Sequence, residues 1–244
     1  MNIGGFMKQT FVDFPGHLSA IVFTNGCNLN CWYCHNKQLI NSQQPKINEN
    51  EILEYLKIRQ GLLEGLVISG GEPTLQKDLE NFILKVRNLG YKIKLDTNGT
   101  NPKILQNLID KNLLDYVAMD IKTALGSYSK TTCANVDMQE NIRKSIEILK
   151  QSNVEFEFRT TFAPDVTLDD IREVAMLAQG CKNFYLQKYN AINAKTLLIP
   201  HNLSTFNQAL EILKEKIPNA KLRGMQCPYT ISRRSYRPNQ AFPA

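Results

Sequence analysis

A short apolar run followed by a pattern of helical period recurs six times along the 244 residues, and this alternation constrains the fold more than any other feature. The runs are Ser19–Thr24 (SAIVFT), Gly65–Ser69 (GLVIS), Tyr91–Asp96 (YKIKLD), Tyr116–Ile121 (YVAMDI), Val154–Thr161 (VEFEFRTT) and Asn183–Tyr189 (NFYLQKY), and each reads as a strand. Leu79, Phe82, Ile83 and Val86 fall at i, i+3, i+4 and i+7, and Ile142, Ile146 and Leu149 at i, i+4 and i+7, so both segments read as helices. Further helices fit Asn48–Arg59, Pro102–Asn112, Thr167–Gln179 and Thr205–Ile217, the last carrying the stripe Phe206, Leu210, Leu213 and Ile217 and stopped by Pro218. Such alternation builds a parallel sheet with helices outside it. Six units are fewer than the eight that close a full barrel, so the expected fold is α/β, a partial (β/α)6 barrel. A doubly wound open sheet has the same alternation, and the pattern alone does not separate the two.

No repeat of fixed period, linker or long charge block marks a boundary, which predicts a single domain over 1–244 with a core at about 17–220 and a tail at 221–244. Hydrophobic residues at 43% and charged residues at 21% exclude the disordered and collagen-like classes. No apolar run approaches the ~20 residues that span a bilayer, and the opening MNIGGFMKQT lacks the apolar stretch of a signal peptide, so a cytoplasmic protein without a membrane partner is expected. The net charge of +6 helps bring an acidic protein or a nucleic acid close and does not choose between them.

Six cysteines in such a compartment are reduced thiols, and their clustering then points to metal or redox chemistry. Cys133, Cys181 and Cys227 stand alone, as small buried hydrophobes do. Cys27, Cys31 and Cys34 lie within eight residues, directly after the first strand. A structural zinc site wants four ligands, yet no second Cys-x-x-Cys pair exists, and His35 follows Cys34 too closely to reach back without strain. Three thiolates on a [4Fe–4S] cluster leave one iron free to bind a substrate or cofactor.

The spacing Cys-x-x-x-Cys-x-x-Cys resembles the signature of the radical S-adenosylmethionine superfamily. Ser69-Gly70-Gly71-Glu72-Pro73 after the second strand is similar to that superfamily's GGEP motif, which binds the amino group of S-adenosylmethionine. Leu95-Asp96-Thr97-Asn98-Gly99 and Met119-Asp120-Ile121-Lys122 resemble cofactor-contacting stretches of the glycyl-radical-enzyme activases, and Asp13-Phe14-Pro15-Gly16 and Cys34-His35-Asn36 resemble the D-x-P-G and C-H-N elements of the same group. An Asn-Gly turn and a surface ion pair are the plainer readings of the LDTNG and DIK stretches. Each of these cofactor-site motifs sits just after a predicted strand, where the loops of such a fold converge.

The resemblance implies one [4Fe–4S] cluster on Cys27, Cys31 and Cys34, and S-adenosylmethionine held by Tyr33, Gly70, Gly71, Glu72, Asp96, Thr97, Asp120, Lys122 and Arg159. In some activases the two aspartates also hold a monovalent cation, so such an ion is a possible third cofactor. Arg159 late in a strand needs an anionic partner, for which the cofactor's carboxylate, Glu155, Glu157 and Asp120 are all candidates. Trp32 can equally be packing. The cleaved cofactor yields a 5′-deoxyadenosyl radical that takes a hydrogen directly, so no general acid or base is required.

The implied partner is a glycyl radical enzyme, most closely an anaerobic ribonucleoside-triphosphate reductase and alternatively a pyruvate formate-lyase, with reduced flavodoxin or ferredoxin supplying the electron. A radical enzyme acting on a small molecule or RNA, and a non-catalytic zinc or iron–sulfur module, are the rival readings. The stretch Cys227–Arg237 mixes cations with aromatics, a combination that can bind nucleic acid, but it reads as a solvated tail or a strip lying over the barrel. His17 and His201 have no second ligand nearby and read as ordinary polar residues.

Overall fold

A computed structural model describes residues 1–41, 44–133, 138–189 and 199–224. Eight strands form one sheet in strict chain order: β1 (Ile3–Thr10), β2 (Ser19–Thr24), β3 (Gly65–Gly70), β4 (Lys92–Thr97), β5 (Tyr116–Asp120), β6 (Glu155–Phe162), β7 (Phe184–Lys188) and β8 (Lys221–Arg223). β1 runs antiparallel to β2, and every later neighbour is parallel. A doubly wound sheet reverses strand order at a switch point; an order without reversal keeps winding in one direction and curls round its own bore. β1 and β8 are the two edges and do not pair with each other, so the barrel is partial.

The two faces of the curled sheet meet different surroundings, and the strand residues alternate between them. Ala20, Val22, Leu66, Ile68, Ile93 and Leu95 join the main core under the helices. Ile21, Val67 and Ala118 point the other way and pack with Phe14 and Tyr116 in a smaller cluster inside the bore. Burial on both faces is why these strands read as nearly continuous apolar runs.

The outer layer consists mainly of α2 (Glu49–Ile58), α3 (Leu79–Asn88), α4 (Pro102–Asp110), α6 (Gln139–Gln151), α7 (Leu168–Leu177) and α8 (Leu203–Lys214), with single turns at α1 (Lys37–Ile40) and α5 (Tyr128–Thr132). Local chemistry fixes their starts. Asn48 and Asn202 accept from the backbone at Asn50 and Thr205, Thr167 and Asp170 form a reciprocal capping box, and Pro102 opens α4.

All six strands read from the sequence are present within a residue or so at each end, and the sheet has two more. β1 (IGGFMKQT) has adjacent glycines and a half-exposed face, so it lacks an apolar pattern and is held by its antiparallel ladder. β8 lies within the stretch read as tail and has only three residues, too few for any period. α8 stops at Lys214, ahead of Pro218, and the intervening turn aims the chain at β8. Among the described residues, no helix is long and apolar enough to cross a membrane. The Cys227–Arg237 stretch lies outside the described residues.

Candidate active site

The C-terminal ends of β2 to β7 surround a cavity of about 400 Å³. Cys27, Cys31 and Cys34 line it together with Tyr33, Gly70, Gly71, Asp96, Thr97, Asp120, Lys122 and Arg159, so eleven of the twelve residues singled out in the sequence meet at one place.

The cysteine loop leaves β2 and is closed on itself by the short α1: Gly26 N–H donates to the Leu39 carbonyl at 2.6 Å and Cys27 N–H to that of Ile40 at 3.3 Å. Cys34 N–H donates to Cys31 O at 3.1 Å, which tightens the turn between those two thiols. The glycine turn after β3 is fastened to the same loop, with Gly71 N–H donating to Thr24 O and Glu72 N–H to Gly26 O, both at 2.8 Å. These backbones touch so closely that a Cβ on Gly71 would overlap the Gly26 carbonyl oxygen, and one on Gly70 the Thr24 nitrogen. Gly70 also has φ +116°, a region closed to residues with side chains. The paired glycines therefore do more than make a turn: they let two site-bearing loops lie in backbone contact.

Glu72 is the twelfth residue, and it does not line the cavity. Its carboxylate is wholly buried below the wall, where Thr74 N–H (3.1 Å), Thr74 Oγ1 (2.6 Å) and Thr97 Oγ1 (2.8 Å) donate to Oε1 and Asn98 N–H (2.7 Å) donates to Oε2. Four donors already hold the carboxylate, so in this arrangement it ties protein segments together beneath the wall. It binds the glycine turn to the LDTNG stretch, and Thr97 faces the cavity with its hydroxyl engaged on Glu72.

Asp96, Asp120, Lys122 and Arg159 form an ion network at the strand ends. Asp120 and Arg159 are register partners on β5 and β6, and Arg159 Nε donates to Asp120 Oδ1 at 2.8 Å. Lys122 Nζ donates to Asp120 Oδ2 at 2.7 Å, and an Arg159 guanidinium nitrogen lies 3.6 Å from Asp96 Oδ2. Among Arg159's candidate protein partners the structure selects Asp120, and it adds Asp96, which the sequence reading does not name as one. Glu157 instead pairs with Arg223 at 2.7 and 3.0 Å and accepts from Tyr116 at 3.0 Å, and Glu155 is exposed. Burial would push both aspartates up, but Arg159 and Lys122 hold Asp120, and Lys94 and Arg159 hold Asp96, below the ordinary carboxylate range. Lys122 is held above the usual amine value despite its burial, chiefly by Asp120.

Residues that sequence reasoning passed over complete the site. Asn98, inside the LDTNG stretch, directs Nδ2 at Cys27 Sγ (3.9 Å) and at Asn28 Oδ1 (3.0 Å). Ser69 donates to Asp96 Oδ2 at 3.0 Å. Lys94, two residues before Asp96 on the same face of β4, pairs with Asp96 Oδ1 although it is only 2% exposed. The Trp32 ring packs against Tyr33 and Tyr189, each with its centroid 5.5 Å away, and the Tyr33 hydroxyl is buried without a protein partner.

A model of the radical SAM superfamily matches residues 21–178. The chain belongs to that superfamily. It is therefore an enzyme, and membership implies a [4Fe–4S] cluster and S-adenosylmethionine. A provisionally named glycyl-radical enzyme activating enzyme of Methanocaldococcus jannaschii is 32% identical over 239 residues, 94% of this chain and 98% of the relative. The pyruvate formate-lyase-activating enzyme of Staphylococcus aureus is 35% identical over 123 residues, 46% of this chain and 49% of its own length. In fold, the chain is similar to Streptococcus suis SuiB bound to S-adenosylmethionine, with a TM-score of 0.65 and 15% identity over 82% of this chain and 49% of that one.

The donor set fits the cluster that the superfamily implies. Three thiols face one cavity, and Cys27 Sγ accepts from Leu29 N–H at 3.4 Å as well as facing Asn98. Among the described residues, no three His, Cys, Asp or Glu side chains converge tightly enough to hold a single ion. A four-iron cube takes its thiolates at separate corners and does not ask them to converge. Burial raises the Cys27 thiol and pushes Cys31 up to about 11, with Lys122 opposing the shift at both, so iron must displace protons to bind.

Proposed function

We propose that the protein is a single-domain activase that installs a glycyl radical on a partner enzyme, most closely an anaerobic ribonucleoside-triphosphate reductase. The observation that carries this reading is the gathering of Cys27, Cys31 and Cys34 on the same cavity as the glycine turn and the Asp120–Lys122 pair. The Methanocaldococcus jannaschii relative, aligned over nearly the full length of both chains, supports the activase reading. In this reading Cys27, Cys31 and Cys34 hold the cluster, which supplies a low-potential electron to bound S-adenosylmethionine when reduced.

The remaining residues bind and orient the cofactor. The backbone at Gly70 and Gly71 borders the cavity next to the cysteine loop, where it can meet the cofactor's amino group. The network of Asp96, Asp120, Lys122 and Arg159 presents charge to the cofactor's polar groups, and Tyr33 offers an aromatic wall with an unpaired hydroxyl. Lys94, Lys122 and Arg159 outnumber Asp96 and Asp120 by one, and this surplus positive charge suits a carboxylate. The electron comes from reduced flavodoxin or ferredoxin, and the chain works in the cytoplasm.

The match to a pyruvate formate-lyase-activating enzyme favours a second partner reading, with the same chemistry on a lyase. The reconstituted protein, mixed anaerobically with each candidate partner, reductant and S-adenosylmethionine, decides between them by electron paramagnetic resonance. A glycyl radical on the reductase is the expected result. A signal on the lyase alone reassigns the partner, and cofactor cleavage without a signal on either removes the activase reading.

A further inference from the structure

The oxygens of Asp96 and Asp120, the two carboxylates that the resemblance offered to a monovalent cation, have other occupants. Asp96 Oδ1 is paired with the Lys94 ammonium, and Asp96 Oδ2 receives Ser69 Oγ at 3.0 Å with Arg159 at 3.6 Å. Asp120 Oδ1 and Oδ2 receive Arg159 at 2.8 Å and Lys122 at 2.7 Å.

We infer that Lys94 serves as a built-in cation, so that the S-adenosylmethionine pocket of this enzyme works without a bound monovalent metal ion. The inference rests on the cofactor reading above and concerns how this chain neutralises its own pocket. Lys94 belongs to the bore and not to the surface: it is 2% exposed, rises along the inner face of β4 towards Asp96, and has the Tyr116 ring 6.0 Å from its ammonium. A lysine is almost never buried so fully unless an anion repays its desolvation, and Asp96 is that anion.

Charge counting points the same way. Within the side-chain network three cations already face two carboxylates, and an added alkali ion would double that local surplus. An ammonium group and an alkali ion both carry one positive charge and bind carboxylate oxygen, so one can replace the other where the chain delivers it. Lys94 is thus a positioning residue that fixes Asp96, which lines the cavity where Lys94 does not.

The test is exchange of potassium for tetramethylammonium at constant ionic strength, an organic cation too bulky for such a pocket. With anaerobically reconstituted wild-type protein, the S-adenosylmethionine dissociation constant should stay within about twofold across the exchange. With Lys94→Met it should weaken about tenfold or more in tetramethylammonium and recover in potassium, because the metal ion can then enter beside Asp96. Melting of the cofactor-free protein reads the same exchange independently: potassium should raise the midpoint of Lys94→Met and leave the wild type unmoved.

A wild type that loses affinity about tenfold without potassium overturns the inference, as does a Lys94→Met protein indifferent to the exchange. Lys94→Arg, which keeps the charge, should behave as wild type, and the wild-type comparison decides the matter even if Lys94→Met does not fold. Iron-loaded wild type that binds no S-adenosylmethionine in either salt would defeat the cofactor reading, and the melting experiment would still judge Lys94.

Discussion

Arg159 and Asp120 stand opposite each other on adjacent parallel strands, joined at 2.8 Å, and each also touches a further member of the cavity wall: Arg159 reaches Asp96 and Asp120 holds Lys122. This pair therefore ties β4, β5 and β6 together at the end where the chemistry is placed. It also keeps Asp120 ionised, because two cations outweigh the cost of its burial.

Acid sensitivity follows from that depression. A carboxylate held below its unfolded value contributes stability that is fully present above about pH 4 and is lost as pH falls towards the folded value. Asp120→Asn should flatten the wild-type loss of stability between about pH 4 and about pH 2, read from urea unfolding at stepped pH. A variant profile as steep as the wild type's would place the acid sensitivity elsewhere.

Iron content tests the ligand assignment without any assay of activity. Cys27→Ala, Cys31→Ala and Cys34→Ala should each lose most of the about four irons per chain retained by the wild type, whereas Cys133→Ala should retain them. Cys133 is exposed and does not border the cavity. Full iron in Cys31→Ala, or loss in Cys133→Ala, would mean that different thiols hold the cluster.

The contact between the glycine turn and the cysteine loop predicts a strong effect from one methyl group. In Gly71→Ala the new Cβ meets a backbone oxygen that cannot swing aside as a flexible side chain would, so the loops must part. A loss of about 1–3 kcal/mol in folding stability and weaker iron retention should appear together. Stability lost with iron fully retained would show that the cysteine loop does not depend on this turn.

Glu72→Gln should destabilise by about 1–3 kcal/mol, because the amide has only one oxygen for donors that now use two. Since this side chain lies beneath the cavity wall, S-adenosylmethionine affinity should fall by less than in Asp120→Asn, as measured by equilibrium binding. A larger fall in Glu72→Gln would restore the direct contact expected from the sequence.

Much of this architecture was legible because both faces of the inner strands are buried, so SAIVFT and GLVIS stand out as apolar runs. The cysteine spacing and the glycine pair were legible as short local patterns. Lys94 was not: KIKLD alternates polar and apolar, which ordinarily marks a solvent-facing side, and only the curl of the sheet turns that polar face into the bore. The direction of Glu72 was equally hidden, since a motif names a residue at a turn without saying to which side its carboxylate swings. β1 escaped notice for its glycines and β8 for its brevity, and both depend on neighbouring strands that a local window does not contain.

Because spatial order equals chain order across all eight strands, the charged groups of the pocket follow one another round its rim in the order in which the chain carries them. Lys94 with Asp96 and Asp120 with Lys122 emerge as two self-neutralising couples, and Arg159 follows with the next strand. Without Arg159 the other four side chains are electrically balanced, so the attraction of the mouth for anions is the contribution of β6.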